Sequence, residues 1–361
     1  MNSHTKAFDA TQESVELYRS LVAGDPDSYT PDLAYRLGER LSGLNRHRDS
    51  LNVWQESVEL YRSLVADNPA LYTPDLAREL GHLGLGLSNL NRPRNSLDAL
   101  QESVKLHRSL VANTPALYTP DLAYQVSNLG IALSKLRRRT ESMDARQESV
   151  ELYRLLVSDS PASYTPELAR RLGSLGASLS HLERHRESLD VREESVELYR
   201  ALVGDNPASY TPGLACQLGN LGTSLSNLVR HRESLDVRQE SIELYRSLVV
   251  DNPASYTPRL ARQLGKLGAS LSNMERHRES LDVRQESIEL YRSLVVDDPA
   301  SYTPRLARQL GGLGTCLWKL NQHRESLDIR KESVDHWLLM TPHCTLLIWL
   351  SSLVTWPAFR F

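Results

Sequence analysis

The chain has 361 residues, with 42 Lys and Arg against 45 Asp and Glu and a formal net charge of -3. Charges this closely balanced create no field that would draw a nucleic acid or an anionic membrane. The three cysteines, Cys216, Cys316 and Cys344, are odd in number and lack metal-type spacing, which excludes a disulfide framework and leads us to expect a reducing, cytoplasmic setting.

The polar residues 1–12 lack the basic start and apolar run of a secretory leader, so export is not expected. Residues 8–23 form the first predicted helix, and segment 1–29 is expected to act as an N-terminal cap. From there the chain repeats itself. Glu13-Ser14, Glu56-Ser57, Glu102-Ser103, Glu148-Ser149, Glu194-Ser195, Glu240-Ser241, Glu286-Ser287 and Glu332-Ser333 lie 46 residues apart after a first step of 43. A unit of that length holds two helices that cannot bury their apolar faces alone, so neighbours must stack. Seven helical hairpins are expected over residues 30–335, beginning near Thr30, Thr73, Thr119, Thr165, Thr211, Thr257 and Thr303. The first lacks three residues and packs in its own register, as an end unit can.

The unit at residues 165–207 shows the logic. Thr165-Pro166-Glu167 offers a capping hydroxyl, a proline at the first helical position and an acid in the first turn, which predicts the start of a first helix, A. Leu168, Ala169, Leu172, Leu175, Gly176, Leu179 and Leu182 recur at three- and four-residue intervals and give it one apolar face. The pattern turns polar at Arg184-His185-Arg186. It resumes as helix B with Leu189, Val191, Val196, Leu198, Tyr199, Leu202 and Val203, and stops at Asp205-Asn206-Pro207. A glycine within a helix costs about 1 kcal/mol against alanine. The invariant column Gly84, Gly130, Gly176, Gly222, Gly268 and Gly314 is therefore expected to admit a close neighbouring helix. A companion column is looser, with Ser127 where Gly81 and Gly173 stand. In Tyr-Thr-Pro, the tyrosine is expected to cover the loop between hairpins rather than to be modified.

Leu175-Gly176, with Ser188 and Ser195 thirteen and twenty positions after the leucine, resembles the tetratricopeptide repeat, serine standing where that family more often has alanine. Arg184-His185-Arg186-Glu187-Ser188-Leu189 is similar to the turn of the long-helix variety in kinesin light chains and in the repeat tails of fungal nucleotide-binding, NACHT-type signalling proteins. The resemblance spans residues 8–334. It implies an all-α, right-handed superhelical solenoid of antiparallel hairpins whose inner wall is built mainly by helix A. One departure is consistent: the family's aromatic in mid helix B is replaced by Arg146, Arg192, Arg238, Arg284 and Arg330. At the end, residues 336–361 lose the repeat and form a divergent apolar tail. Its run 345–356 is too short for a membrane helix, which needs about 20 residues. A cap, a tail anchor and a misread gene boundary are the readings it leaves open.

No chemistry stands out. The recurrent His47, His185, His231, His277 and His323 fall one per hairpin, too far apart to share a metal at about 2 Å. Gly265-Lys266-Leu267-Gly268 lacks the leading glycine and strand of a phosphate loop. No catalysis, cofactor or metal is expected. Specificity is instead expected on helix A, in three columns. The first is Arg78, Tyr124, Arg170, Cys216, Arg262 and Arg308. The second is His82, Asn128, Ser174, Asn220, Lys266 and Gly312. The third is Asn89, Lys135, His181, Asn227, Asn273 and Lys319. Guanidinium and amide groups so spaced could hold an acidic or extended peptide. The competing reading is a solvated face whose arginines are balanced by Glu148, Glu194 and Glu240. The sequence therefore points to an adaptor that binds protein partners, with a sensor array of a larger signalling protein as the alternative and a nucleic-acid-binding repeat behind both.

Overall fold

The computed structural model describes residues 13, 16–22, 24–39 and 47–340. The apolar tail beyond Met340, including Cys344, and most of the first fifteen residues lie outside the described residues. Within them the chain is helical: residues 16–22 are helical, and fourteen helices follow in hairpin order: α1 Pro26–Glu39, α2 His47–Asp67, α3 Pro69–Asn89, α4 Pro93–Asn113, α5 Pro115–Lys135, α6 Arg139–Asp159, α7 Pro161–His181, α8 His185–Asp205, α9 Pro207–Asn227, α10 His231–Asp251, α11 Pro253–Asn273, α12 His277–Asp297, α13 Pro299–Lys319 and α14 His323–Met340. Odd numbers are A helices and even numbers B helices. The chain divides into two compact units, residues 1–191 and 192–361.

Helix A begins earlier than the sequence suggests. In the hairpin considered above it starts at Pro161, and Pro166 lies inside it. The threonine does not cap; its hydroxyl donates back one turn, from Thr165 Oγ1 to the Pro161 carbonyl at 2.7 Å. The cap is the residue before the earlier proline. Asn206 and Asn252 accept from the backbone N–H groups of Ser209 and Ser255, each at 3.1 Å, which satisfies one of the open donors of a helix start. Stop and start therefore coincide, and a single residue joins each hairpin to the next. The tyrosine accordingly sits in the first turn of helix A rather than over a loop. Tyr256 and Tyr302 pack on Tyr245 and Tyr291 of the preceding B helices, with ring centroids 6.5 and 6.4 Å apart.

The turn from A to B is a Schellman closure. Arg92 N–H reaches the Leu87 carbonyl at 2.9 Å and Asn91 N–H reaches Ser88 at 3.2 Å. Its middle residue is left-handed, with φ of 56° to 63° at Asn91, Arg137, Glu183, Val229, Glu275 and Asn321. The histidines expected in this turn instead open helix B, as His185 and His231 do.

Unit 1 stacks α1 to α7 with the start of α8, and unit 2 runs from the rest of α8 to α14. In each, consecutive helices pack and the core runs on from hairpin to hairpin. One cluster in unit 1 joins Trp54, Val58 and Tyr61 of α2 to Leu76, Leu80 and Leu83 of α3. One in unit 2 joins Ile242 and Tyr245 of α10 to Leu260, Leu264 and Leu267 of α11. No hairpin closes a core alone, which is why the repeat must be serial.

The recurrent serines of helix B have a specific consequence. Ser96, Ser142, Ser234, Ser280 and Ser326 of the B helices donate to the carbonyls of Gly84, Gly130, Gly222, Gly268 and Gly314 at 2.6 to 2.8 Å. A second series, Ser103, Ser149, Ser241, Ser287 and Ser333, donates to Ala77, Ala123, Ala215, Ala261 and Ala307 at 2.6 to 2.8 Å. Each buried bond is worth about 1 kcal/mol, so two staples fix A against B in each of these hairpins. The glycine column works as expected. A methyl on Gly84 would lie 2.5 Å from Leu100 Cγ, and one on Gly222 or Gly268 would lie 2.7 Å from Cγ of Arg238 or Arg284.

Candidate functional site

The three columns of helix A separate. Members of the first and second are one turn apart on one face, as Arg78 and His82 are. The third column occupies the last residue of each A helix, eleven residues and so about 16 Å farther along. There Asn89, His181, Asn227, Asn273 and Lys319 are exposed. Lys135 turns back to the preceding A helix, where its ammonium donates to the Ser88 carbonyl at 2.6 Å and to its hydroxyl at 2.8 Å.

In unit 1 the first two columns are tied up locally. Arg78 holds Asp75 at 2.6 Å and Glu79 at 3.5 Å, and His82 Nδ1 stands 3.6 Å from Glu79. Arg170 holds Glu167 at 2.5 Å. Asn128 donates to Gln125 at 3.3 Å, and the Tyr124 ring lies under the Arg171 guanidinium at 5.7 Å. In unit 2, Asn220 donates to Gln217 at 3.4 Å and Cys216 is half-buried. Arg262 and Arg308 are exposed, and no ion pair among the described residues includes either.

The acids that the sequence set against these columns point elsewhere. Glu148 and Glu240 pair with Arg108 and Arg200 of the preceding B helix, at 2.8 and 2.7 Å, so they line the B-helix face and do not balance the A-helix columns.

The arginines of mid helix B have a destination that their spacing does not reveal. Arg192, Arg238 and Arg284 are 5%, 3% and 8% exposed, and their guanidiniums reach the A helices. Arg192 Nη1 donates to the Asn220 carbonyl and to Ser224 Oγ, both at 2.7 Å. Arg238 Nη2 donates to Thr223 Oγ1 at 3.3 Å. In unit 1, Arg146 Nη1 donates to the Ser174 carbonyl at 2.8 Å. Burial lowers all four below the ordinary guanidinium value, Arg192 and Arg238 to about 10, and Arg171 adds repulsion at Arg146. None of the four has a carboxylate partner among the described residues, and burying a cation without one is costly. Lys266 joins them: burial and then Arg238, Arg262 and Arg192 lower its ammonium to about 8.

The looser glycine column also finds its cause. A methyl on Gly81, Gly219 or Gly265 would lie 2.2 to 2.5 Å from the amide nitrogen of Gln125, Gln263 or Gln309 in the next A helix. Where Ser127 replaces the glycine, Arg171 replaces the glutamine and donates to the serine hydroxyl at 2.6 Å. Glycine and glutamine change together because they share one space.

Among the described residues, no three His, Cys, Asp or Glu side chains gather to hold a metal ion, and no helix is long and apolar enough to cross a membrane. The arrangement is one of donors, guanidinium and amide, set on rigid helices.

No family model matches the chain, and no curated protein matches it in sequence. Solved structures do match. BtubC (BKLC) from P. vanneervenii superposes with a TM-score of 0.57 over 70% of this chain and 94% of that one, at 14% identity. The apo form of RapI gives 0.54 over 81% and 93%, at 10% identity. The C-terminal part of a TPR repeat-containing protein from Cytophaga hutchinsonii gives 0.50 over 84% and 95%, at 12% identity. At such identities the likeness is one of fold: this chain is an all-α tetratricopeptide-like solenoid.

Proposed function

We propose that the protein is a non-catalytic scaffold that holds protein or peptide partners along the A-helix face. The supporting observation is the pair of polar columns one turn apart on helices whose spacing the serine staples hold. A ligand presented with donors on fixed backbones is bound without the entropy of ordering a loop. The excess of cation on the A-helix face of unit 2 favours acidic segments, which guanidinium groups grip with paired hydrogen bonds. The tetratricopeptide-like fold of the neighbours supports a binding array as the general role, and the charge on the A-helix face extends it to an adaptor for acidic partners.

The test is affinity capture with the full chain and two charge-reversed variants, followed by binding of the captured segment as a synthetic peptide. Arg262→Glu with Arg308→Glu alters the A-helix face, whereas Arg246→Glu with Arg292→Glu alters the B-helix face. Loss confined to the first pair supports the reading. A peptide that both variants bind as the parent does would sink it.

A further inference from the structure

Helices α11, α12 and α13 of unit 2 enclose an open cleft of about 470 Å³. Five cationic side chains line it, Arg262 and Lys266 from α11, Arg284 from α12, and Arg305 and Arg308 from α13, and no lining residue is an acid. The sequence explains the excess. The residue after the Tyr-Thr-Pro proline is Asp75, Asp121 and Glu167 in unit 1, but Arg259 and Arg305 in the last two hairpins. Where Asp75 neutralises Arg78 from one turn away, Arg305 instead adds a second cation beside Arg308. Its guanidinium lies over the Tyr302 ring at 5.5 Å, and it has no ion pair among the described residues.

Arg284 brings a buried charge to the same place. Its Nη1 donates to Gln309 Oε1 at 3.1 Å and its Nε to Ser280 Oγ at 3.3 Å, and the Cys316 thiol is a further partner of the guanidinium. A methyl on Gly312 would lie 2.1 Å from Nη1. A side chain at that position would have to displace the flexible end of the guanidinium, and the other hairpins have His82, Asn128, Ser174, Asn220 and Lys266 there. The last hairpin therefore leaves this group its full room. Like charges so gathered are unfavourable until an anion joins them.

We propose that this cleft binds a phosphoryl group, presented as a phosphorylated serine or threonine of a partner peptide lying along the A-helix face. A phosphoryl group carries about -1.5 to -2 charge and three acceptor oxygens, which can meet several planar guanidinium forks at once. A carboxylate brings one charge and two acceptor oxygens, and so compensates fewer of the cleft's cations. The anion site stands on the cleft itself; the peptide as its source rests on the scaffold reading above.

Three fluorescent probes suffice with the full chain: a degenerate peptide library with a central phosphoserine, the same library with serine, and single-stranded RNA of random sequence. Inorganic phosphate serves as competitor. The phosphoserine library is expected to bind about ten-fold or more tighter than the serine library, a gap of about 1.4 kcal/mol. Inorganic phosphate should displace it. Arg308→Glu, an exposed change, and Gly312→Ser, which pushes on Arg284, should each remove the preference with the helical circular dichroism intact. Arg78→Glu should not. The preference should also fade as pH rises through about 8, where Lys266 gives up its proton.

Equal binding of the two libraries, or a preference that survives Arg308→Glu, overturns the anion site. Inorganic phosphate binding that Arg308→Glu abolishes, with no gain from the peptide, keeps the anion site and overturns the peptide source. Binding of the RNA as tight as that of the phosphoserine library, and equally sensitive to Arg308→Glu, assigns the cleft to a nucleic-acid backbone instead and overturns the proposal.

Discussion

The two units use the same scaffold and treat charge on helix A in opposite ways. In unit 1 the arginine of the first column reaches back one turn to a carboxylate, Arg78 to Asp75 and Arg170 to Glu167. In unit 2 the position one turn back holds Arg259 and Arg305, and Arg262 and Arg308 have no ion pair among the described residues. Mid helix B differs as well. Trp54 and Leu100 occupy it in the first two hairpins, and arginines hold it from Arg146 onward, buried at Arg192, Arg238 and Arg284. Two positions per repeat thus decide whether a hairpin is only a structural element or also a site of stored positive charge. Near-identical hairpins can carry different work because the backbone contacts, above all the serine staples, leave those two positions free to vary.

The largest expected consequence of that storage is pH dependence. Lys266 sits at about 8 against an ordinary 10.5, pressed by burial and by guanidiniums of α8, α10 and α11. Between those values the unfolded chain holds a proton that the folded chain has lost, so stability rises with pH across the window. The penalty at neutral pH is at most about 3 kcal/mol, since one pKa unit corresponds to about 1.4 kcal/mol. Lys266→Met should raise the urea midpoint at pH 7 and flatten its rise toward pH 10. A wild-type midpoint that stays level from pH 8 to 10 would show that the lysine is not strained.

Close behind come the packing glycines. Alanine at Gly84 drives a methyl to 2.5 Å from Leu100 Cγ and 2.9 Å from its Cδ2, at a side chain only 1% exposed. Overpacking costs about 1 to 3 kcal/mol, and the gain in helix propensity returns about 1 kcal/mol. Gly84→Ala should therefore be destabilising by up to about 2 kcal/mol. Gly268→Ala should cost less, because it meets the stem of Arg284, which can swing. Urea unfolding of both variants checks the order; equal losses would mean that the arginine stem is as rigid as the leucine.

Next is the buried cation itself. Arg238→Met gives the hairpin the apolar character that Leu100 has in unit 1 and removes a charge with no carboxylate partner. The hydroxyls it leaves keep their own acceptors, Ser234 on Gly222 and Thr223 on Gly219. Replacing buried charge by similar apolar volume is stabilising by about 1 to 4 kcal/mol in favourable cases, and a gain at the low end is expected. A loss in the unfolding midpoint would show that the guanidinium stabilises the A helices more than its burial costs.

How much of this was legible is itself instructive. Period, hairpins and the glycine column follow from spacing, because each is fixed by local geometry and repeated contact. The start of helix A was missed because two prolines compete in each unit. Pro166 has the better local signature, with threonine before it and glutamate after it, while Asn206-Pro207 reads as a stop although it is a stop and a start at once. That the first-column arginines of unit 1 are already engaged could have been read from Asp75-x-x-Arg78, an ion-pair spacing on one helix face. The direction of Arg238 and Arg284 could not, because helix B has neighbours on two sides and only the packed structure says which one a side chain at that position meets. Trp54 hinted at it: a large group at this column lies against α3, where a methyl on Gly86 would stand 2.2 Å from its ring.

The smallest effect separates the units at their turns. Asn91 and Val229 occupy the same left-handed position, at φ 56° and 62°. Asparagine tolerates this conformation, whereas a β-branched side chain clashes with its own backbone there. Val229 is 72% exposed, so its side chain gains little burial to offset the strain. Val229→Asn should stabilise the protein by about 1 kcal/mol, and Asn91→Val should destabilise it by a similar amount. Because the Schellman bonds involve only backbone, Arg92 to Leu87 in one turn and Arg230 to Leu225 in the other, both at 2.9 Å, the exchange leaves every turn hydrogen bond in place. Opposite shifts of comparable size in the unfolding midpoint would locate the effect in the backbone torsion. A change at only one site would assign it to the surroundings of that turn, and would mean that the two hairpins are less alike than their shared geometry implies.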